Sequence, residues 1–229
     1  MSVLFRRSIH ISTAALLALM LVLAACTTVT NSTVQNVPGS GALKVESRTV
    51  TGFSRIDLRS SGSVVVTVSD SEAVTVSAED NFLPLLTTRV ENGWLLIETP
   101  PNTNLQPTLP ITISVTLKSL SDVTLSGSGI ITIMDLSADA LETTISGNGN
   151  VMVTGTIVRQ QVTLSGSGIY DASGVTGEDA VVTLNGSGNV LLTVTATLDA
   201  TISGSGTIAH SGGAKVTQNI TGTGQVVER

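Results

Sequence analysis

Six short polar residues, Ser128, Asn148, Ser167, Ser187, Ser205 and Thr223, each stand between two glycines and recur every 18 to 20 residues. Four positions before each lies another hydrogen-bonding side chain: Thr124, Thr144, Thr163, Thr183, Thr201 and finally Asn219. Hydroxyls and amides repeated at a fixed interval suit a ladder of hydrogen bonds, or a regular polar surface. They do not suit nucleophilic catalysis, because no serine of the series has a candidate base beside it.

The other chemical residue types are sparse. Polysaccharide cleavage needs two carboxylates placed across a sugar, or basic residues with a metal. The acids of the repeat region, Asp135, Asp139, Glu142, Asp171, Glu178, Asp179 and Asp199, lie mainly between the motifs, without a partner acid or an aromatic sugar platform. Asp139, Arg159 and Glu178 fall at nearly the same place in three successive units, which reads as a surface ladder of opposite charges. His210 is the only imidazole outside the N-terminal leader and reads as a solvated turn residue, so no metal site is expected. A calcium-binding nonapeptide solenoid would require aspartate after the glycines, where this chain has Ile, Asn, Thr or Gln. Trp94 and Tyr170 read as packing residues, and no cofactor is implied.

The elements that must carry these residues follow from the alternation around them. The motif glycines Gly127, Gly147, Gly166, Gly186, Gly204 and Gly222 align copies in which the residue two before is Leu125, Ile145, Leu164, Leu184, Ile202 or Ile220. The residue four after is Ile131, Val151, Tyr170, Val190, Ile208 or Val226. Period two with one apolar face is a half-buried strand, and β-branched residues with paired glycines disfavour helix. A lone strand of this kind is unstable, so each unit is expected to form one coil of a right-handed parallel β-helix, a single-stranded solenoid of 18–20-residue coils. Equivalent strands then lie about 4.8 Å apart and like residues stack. With aromatics at only 2% of the chain, the core must be aliphatic. The Gly-x-Gly units either turn a corner, where a tight bend or positive φ excludes a Cβ, or run straight with both glycines pinching the core. The polar residue always found between them favours the corner.

The half before the repeats is less regular. Residues 56–58, 64–68, 74–77, 95–98 and 111–117 read as strands, with Ser61-Gly62-Ser63 a degenerate motif. Asp80-Asn81 followed by Phe82, Leu83, Pro84, Leu85 and Leu86 reads as a short capped helix covering the open end of the solenoid.

The N-terminus has the order of a secretory signal: Arg6 and Arg7, the apolar run from Ala14 to Ala25, then Cys26. Leu23-Ala24-Ala25-Cys26 resembles the lipobox of bacterial lipoproteins, which makes Cys26 the expected lipid attachment site and the membrane an expected partner. Cys26 is also the sole cysteine, so no internal disulfide forms. The organisation expected is a signal peptide over residues 1–25, a flexible tether over 26–42 and a β-helical domain over 43–229, irregular over 43–117 and regular over 118–229. Without the leader, nine basic residues face seventeen acidic ones, a formal charge of −8 that argues against nucleic acid as a partner.

Gly52-Phe53-x-x-Ile56, Val90-Glu91-Asn92-Gly93-x-Leu95-x-Ile97, the strand 111–117 with Leu120, and the serial Ser-Gly-Ser-Gly units together resemble the bacterial "putative auto-transporter adhesin, head GIN domain" proteins over about residues 50–227. The Gly-Ile-Asn of the family name is present here only as variants such as Gly188-Asn189-Val190. The resemblance implies a secreted or lipid-anchored β-helical domain with adhesion proposed and no established catalytic residues. The expected function is therefore a non-catalytic, exported envelope lipoprotein, on the outer membrane in a Gram-negative cell, that binds a protein or glycan through a polar face. An envelope-polysaccharide hydrolase or lyase is the alternative, and an ice-binding array of Thr124-x-Ser126 type is the third.

Overall fold

A computed structural model describes residues 33–229; the leader, Cys26 and the first part of the expected tether lie outside the described residues. Among the described residues nine strands precede the repeats: β1 (Gln35–Pro38), β2 (Leu43–Arg48), β3 (Arg55–Leu58), β4 (Ser63–Val68), β5 (Ala73–Glu79), β6 (Thr87–Glu91), β7 (Trp94–Glu98), β8 (Thr103–Gln106) and β9 (Thr112–Leu117). Eight follow: β10 (Asp122–Leu125), β11 (Ile130–Ile145), β12 (Asn150–Leu164), β13 (Ile169–Leu184), β14 (Asn189–Ile202), β15 (Thr207–Ser211), β16 (Lys215–Ile220) and β17 (Gln225–Glu228). From β10 onward every pairing is parallel and joins one coil to the next, giving a β-solenoid of about five turns.

Like residues stack through the core as the alternation requires. Leu125 pairs in register with Ile145, Ile145 with Leu164, Leu164 with Leu184, Leu184 with Ile202 and Ile202 with Ile220. The column extends backwards through Leu58 and Ile97, outside the regular repeats. On the facing wall Ile131, Val151, Tyr170, Val190, Ile208 and Val226 form the second column, which extends backwards through Val64 and Ile113. All but the last member of each column are fully buried. Burial of this kind stabilises by about 1.5–3 kcal/mol per large aliphatic side chain before chain entropy is counted.

Each Gly-x-Gly unit bends the chain between two walls, so the corner reading holds. Its cause is close approach and not backbone handedness: from Gly127 to Gly206 none of the corner glycines has a positive φ. A Cβ on Gly147 would lie 2.1 Å from the carbonyl oxygen of Gly127, and one on Gly166 would lie 2.0 Å from that of Gly147. Those carbonyls point along the stack because they accept coil-to-coil hydrogen bonds, as the Gly166 oxygen does from the Ser187 N–H at 3.2 Å. A second bend divides the long strands where register shifts occur near Ile133/Leu136, with Asp135 and the facing Gly155 at positive φ.

Before the repeats the topology changes. β3 and β4 continue the two walls in parallel, but β5 returns antiparallel to β9, and β2 adds antiparallel to β5. Asn92-Gly93, both at positive φ, forms the tight turn of the antiparallel β6–β7 hairpin. Residues 80–86 are a series of turns and not the expected helix. Phe82 and Leu85 donate to carbonyls three residues back, and Leu86 donates to that of Phe82. Pro84 has no N–H with which to extend the ladder. Phe82, Leu83 and Leu86 are nonetheless buried.

Part of the expected tether is also structured: Gln35–Pro38 pairs in parallel with Thr103–Gln106. Glu79 fixes the chain that follows. Its fully buried carboxylate accepts from the Thr108 hydroxyl at 2.6 Å, from the Gly41 N–H at 2.7 Å and from the Thr108 N–H at 3.0 Å. The Thr108 hydroxyl first, with the backbone donors of Gly41, Thr108 and Leu109, holds this carboxyl below the ordinary carboxylate range against the opposing effect of burial.

Polar side chains enter the aliphatic core midway along the stack. Thr143 occupies the column of Val123 and Val162, and Gln160 that of Leu141 and Ala180. Both are fully buried, and the Gln160 Oε1 accepts from the buried Tyr170 hydroxyl at 2.9 Å. Burial drives the Tyr170 hydroxyl pKa upward. His210 corrects another expectation. It is 5% exposed within β15, paired with Leu192 and Glu228, and is not a solvated turn residue.

Two outcomes test this account. Gly166→Ala is expected to lower unfolding stability by about 1–3 kcal/mol through the carbonyl clash, while Ser167→Ala beside it stays within about 0.5 kcal/mol in denaturant titrations. Glu79 has a depressed folded pKa, so its stabilisation is present above the ordinary value of 4.5 and is lost as pH falls through the folded value. Amide exchange of β2 is expected to accelerate below about pH 4.5 in the native chain and to show no such acid dependence in Glu79→Gln.

Candidate binding face

The wall built from β7, β3, β10, the C-terminal halves of β11 to β14, and β16 sends its alternate side chains outward in rows. Thr124, Thr144, Thr163, Thr183, Thr201 and Asn219 are successive cross-strand neighbours, so the threonines form one continuous row. Each of the five is half-buried between its neighbours. Beside it runs a more exposed row of Ser126, Ser146, Ser165, Asn185, Ser203 and Thr221. Ser128, Asn148, Ser167, Ser187, Ser205 and Thr223 stand exposed at the corner. In that corner series one pair is joined side chain to side chain, the Thr223 hydroxyl donating to the Ser205 Oγ at 2.9 Å. Most of these groups therefore keep their hydrogen-bonding capacity for an external partner.

Charges on this wall do not fall as the sequence spacing suggests. Arg159 is in register with Ala140 and Asp179, and not with Asp139 and Glu178. Asp179 is held instead by the Thr197 hydroxyl at 2.5 Å. Asp122 and Glu142 are direct neighbours. They line an open depression of about 250 Å³ with Arg159.

The threonine row runs on into the irregular half, where its chemistry changes. Leu58 is in register with Leu125, so Ile56-Asp57-Leu58-Arg59 repeats Val123-Thr124-Leu125-Ser126 with Asp in place of Thr and Arg in place of Ser. The next coil outward places Leu96 beside Asp57. The Asp57 Oδ2 accepts from Arg59 Nε and Nη2, both at 2.7 Å, and this hydrogen bond raises the Arg59 pKa further. Arg59 also reaches Glu98 at 3.6 Å, Glu98 pairs with Arg89 at 2.9 Å, and Arg89 pairs with Glu91. Alongside, the Arg55 guanidinium lies over the Trp94 ring, 4.9 Å from its centroid, and donates to the Asn92 carbonyl.

These groups border an open depression of about 330 Å³ lined by Asp57, Arg59, Glu91, Asn92, Trp94, Leu96 and Thr124. Asp57 is 6% exposed, and its buried Oδ1 has no hydrogen-bond partner among the described residues. Sequence reading misses this cluster because Gly62 aligns with the second glycine of the motif, not the first: Gly129 packs on the Gly62 carbonyl and Gly127 on that of Ser60. That alignment is the signal that would have placed Asp57 and Arg59 in the polar rows.

A family model described as "putative auto-transporter adhesin, head GIN domain" matches residues 52–214. No curated protein matches the chain. Among solved structures, a "putative adhesin" from Bacteroides fragilis NCTC 9343 is similar at 19% identity and a TM-score of 0.72, over 84% of this chain and 100% of that one. A "putative lipid binding protein" from Parabacteroides distasonis ATCC 8503 is similar at 21% identity and a TM-score of 0.56, over 85% of this chain and 100% of that one. At these identities the likeness is one of fold.

Proposed function

The chain belongs to the "putative auto-transporter adhesin, head GIN domain" family, and from that premise we propose that it is a non-catalytic binding module of the cell envelope whose adhesive surface is the threonine-bearing wall. The observation that carries this reading is the register itself: five threonines from five successive strands lie in one row, flanked by an exposed row of small polar side chains. Many weak hydrogen bonds presented at a fixed spacing on a rigid sheet suit an extended protein or glycan partner. The acids support binding over cleavage. Asp122 and Glu142 sit side by side on one wall, whereas glycoside hydrolysis needs carboxyl groups on opposite sides of the scissile bond. In this proposal the chain is exported and held to the membrane by lipid on Cys26, facing the periplasm or the cell surface. Two acyl signals give stable anchoring where a single chain would not.

Two experiments test the proposal. Labelled protein is expected to pellet with bacterial cells or to bind on a glycan array. Thr144→Lys with Thr183→Lys, two coils apart so that the new charges are not adjacent, should reduce binding at least tenfold, which corresponds to about 1.4 kcal/mol. Met152→Lys on the facing wall should leave it unchanged. Equal loss from both variants, or from neither, rejects this wall as the adhesive surface. For the anchor, Cys26→Ser is expected to move the chain from the membrane fraction to the soluble one.

A further inference from the structure

The depression at the end of the threonine row differs in chemistry from the rest of the wall. We propose that it is a subsite for a neutral sugar ring, in which Asp57 and Arg59 take hydroxyl groups and Trp94 takes a C–H face. This deepens the reading of the wall as a binding surface and rests on it.

Three observations converge. The first is the unused hydrogen-bonding capacity of Asp57. Its Oδ2 is occupied by Arg59, but its Oδ1 is buried without a partner, in a side chain that lines the depression. A carboxylate oxygen left unpaired is costly, and a small rotation of the side chain toward the depression uncovers it to a ligand hydroxyl, which supplies the missing donor. Thr124 and Asn92 line the same space, and the side chain of each can donate and accept.

The second is charge. Asp57, Glu91 and Glu98 are matched by Arg55, Arg59 and Arg89 in the surrounding cluster. Such a site offers strong directional hydrogen bonds with no net field, so it favours a polyhydroxylated neutral ligand over a phosphate, a carboxylate or a free cation.

The third is shape. A volume of about 330 Å³ is at the small end of the roughly 300–1,000 Å³ range of small-molecule sites, which suits one ring in preference to an enclosed oligosaccharide. Trp94 is half-buried and lines this space. With Arg55 over its ring, the indole is held in place before any ligand arrives.

Trp94 is the only tryptophan in the chain, so its emission reports on this site alone. The full chain is titrated with the methyl glycosides of glucose, galactose, mannose and N-acetylglucosamine, with glucuronate and inorganic phosphate as charged probes. The expected result is a saturable change in emission with at least one neutral glycoside at or below about 50 mM, weakened at least tenfold in Asp57→Asn. Thr124→Val, which leaves the Asp57–Arg59 pair in place, should weaken it as well, with circular dichroism confirming that both variants are folded. No saturable response to any neutral glycoside overturns the proposal. So does a response that is unchanged in both variants, or one given only by the charged probes. The same variants in the cell-pelleting assay separate this idea from the one beneath it. Adhesion that persists without any sugar response rejects the subsite and leaves the wall standing.

Discussion

The hydrogen-bond ladder that runs from coil to coil does not stop at the corners, and this continuity is the constraint on which the structure depends. At Gly147, Gly166, Gly186 and Gly204 the carbonyl of the coil beneath stands within 2.2 Å of where a Cβ would be. Only glycine lets the chain bend there while the carbonyl keeps its direction along the axis. The exposed residue between each pair of glycines carries no such restriction, and it varies among Ser, Asn and Thr.

Once the coils are locked in this way, sequence periodicity becomes surface geometry. A residue type repeated in the sequence becomes a row on a wall, and a local departure from the repeat becomes a local change in that row. Replacing the Thr and Ser positions by Asp57 and Arg59 turns a plain hydroxyl row into a charge-paired depression without altering the buried partners Ile56 and Leu58. The fold thus separates the residues that stack from the residues that recognise, and the second set can change while the first is kept.

How much was legible in the sequence follows from the same separation. The columns through Leu125 and Ile131, the alternation and the corner could be read because each depends on residues repeated many times. The five strands expected before the repeats are present, yet their antiparallel partners are not evident from local pattern. β2 is mostly exposed and carries Lys44, Glu46 and Arg48, so its apolar signal is faint; it is held by backbone pairing with β5, and the Glu79 carboxylate fixes Gly41 just before it. β6 could have been found, since Asn92-Gly93 is a strong hairpin signal. The run at Phe82 has helical spacing but becomes packed turns because Pro84 withholds a donor. His210 looks polar and unattached in the sequence, but the coil around it buries it. Of the candidate face, the threonine row was legible, whereas the Asp57 depression needed the alignment of one degenerate coil.

The hydroxyl and amide groups inside the core bear on a hazard of all repetitive chains. When consecutive coils are nearly interchangeable, a nascent chain can skip one and stack the next on the wrong neighbour, with little loss of aliphatic contact. Thr143, Gln160 and Tyr170 lie on consecutive long strands, and the Tyr170 hydroxyl meets Gln160 across the interior. Threading that omits β12 removes Gln160 and with it the amide oxygen that accepts from the tyrosine hydroxyl. The Gln160–Tyr170 pair thus acts as an index mark in the stack, penalising miscounted assembly where the aliphatic columns themselves would tolerate it.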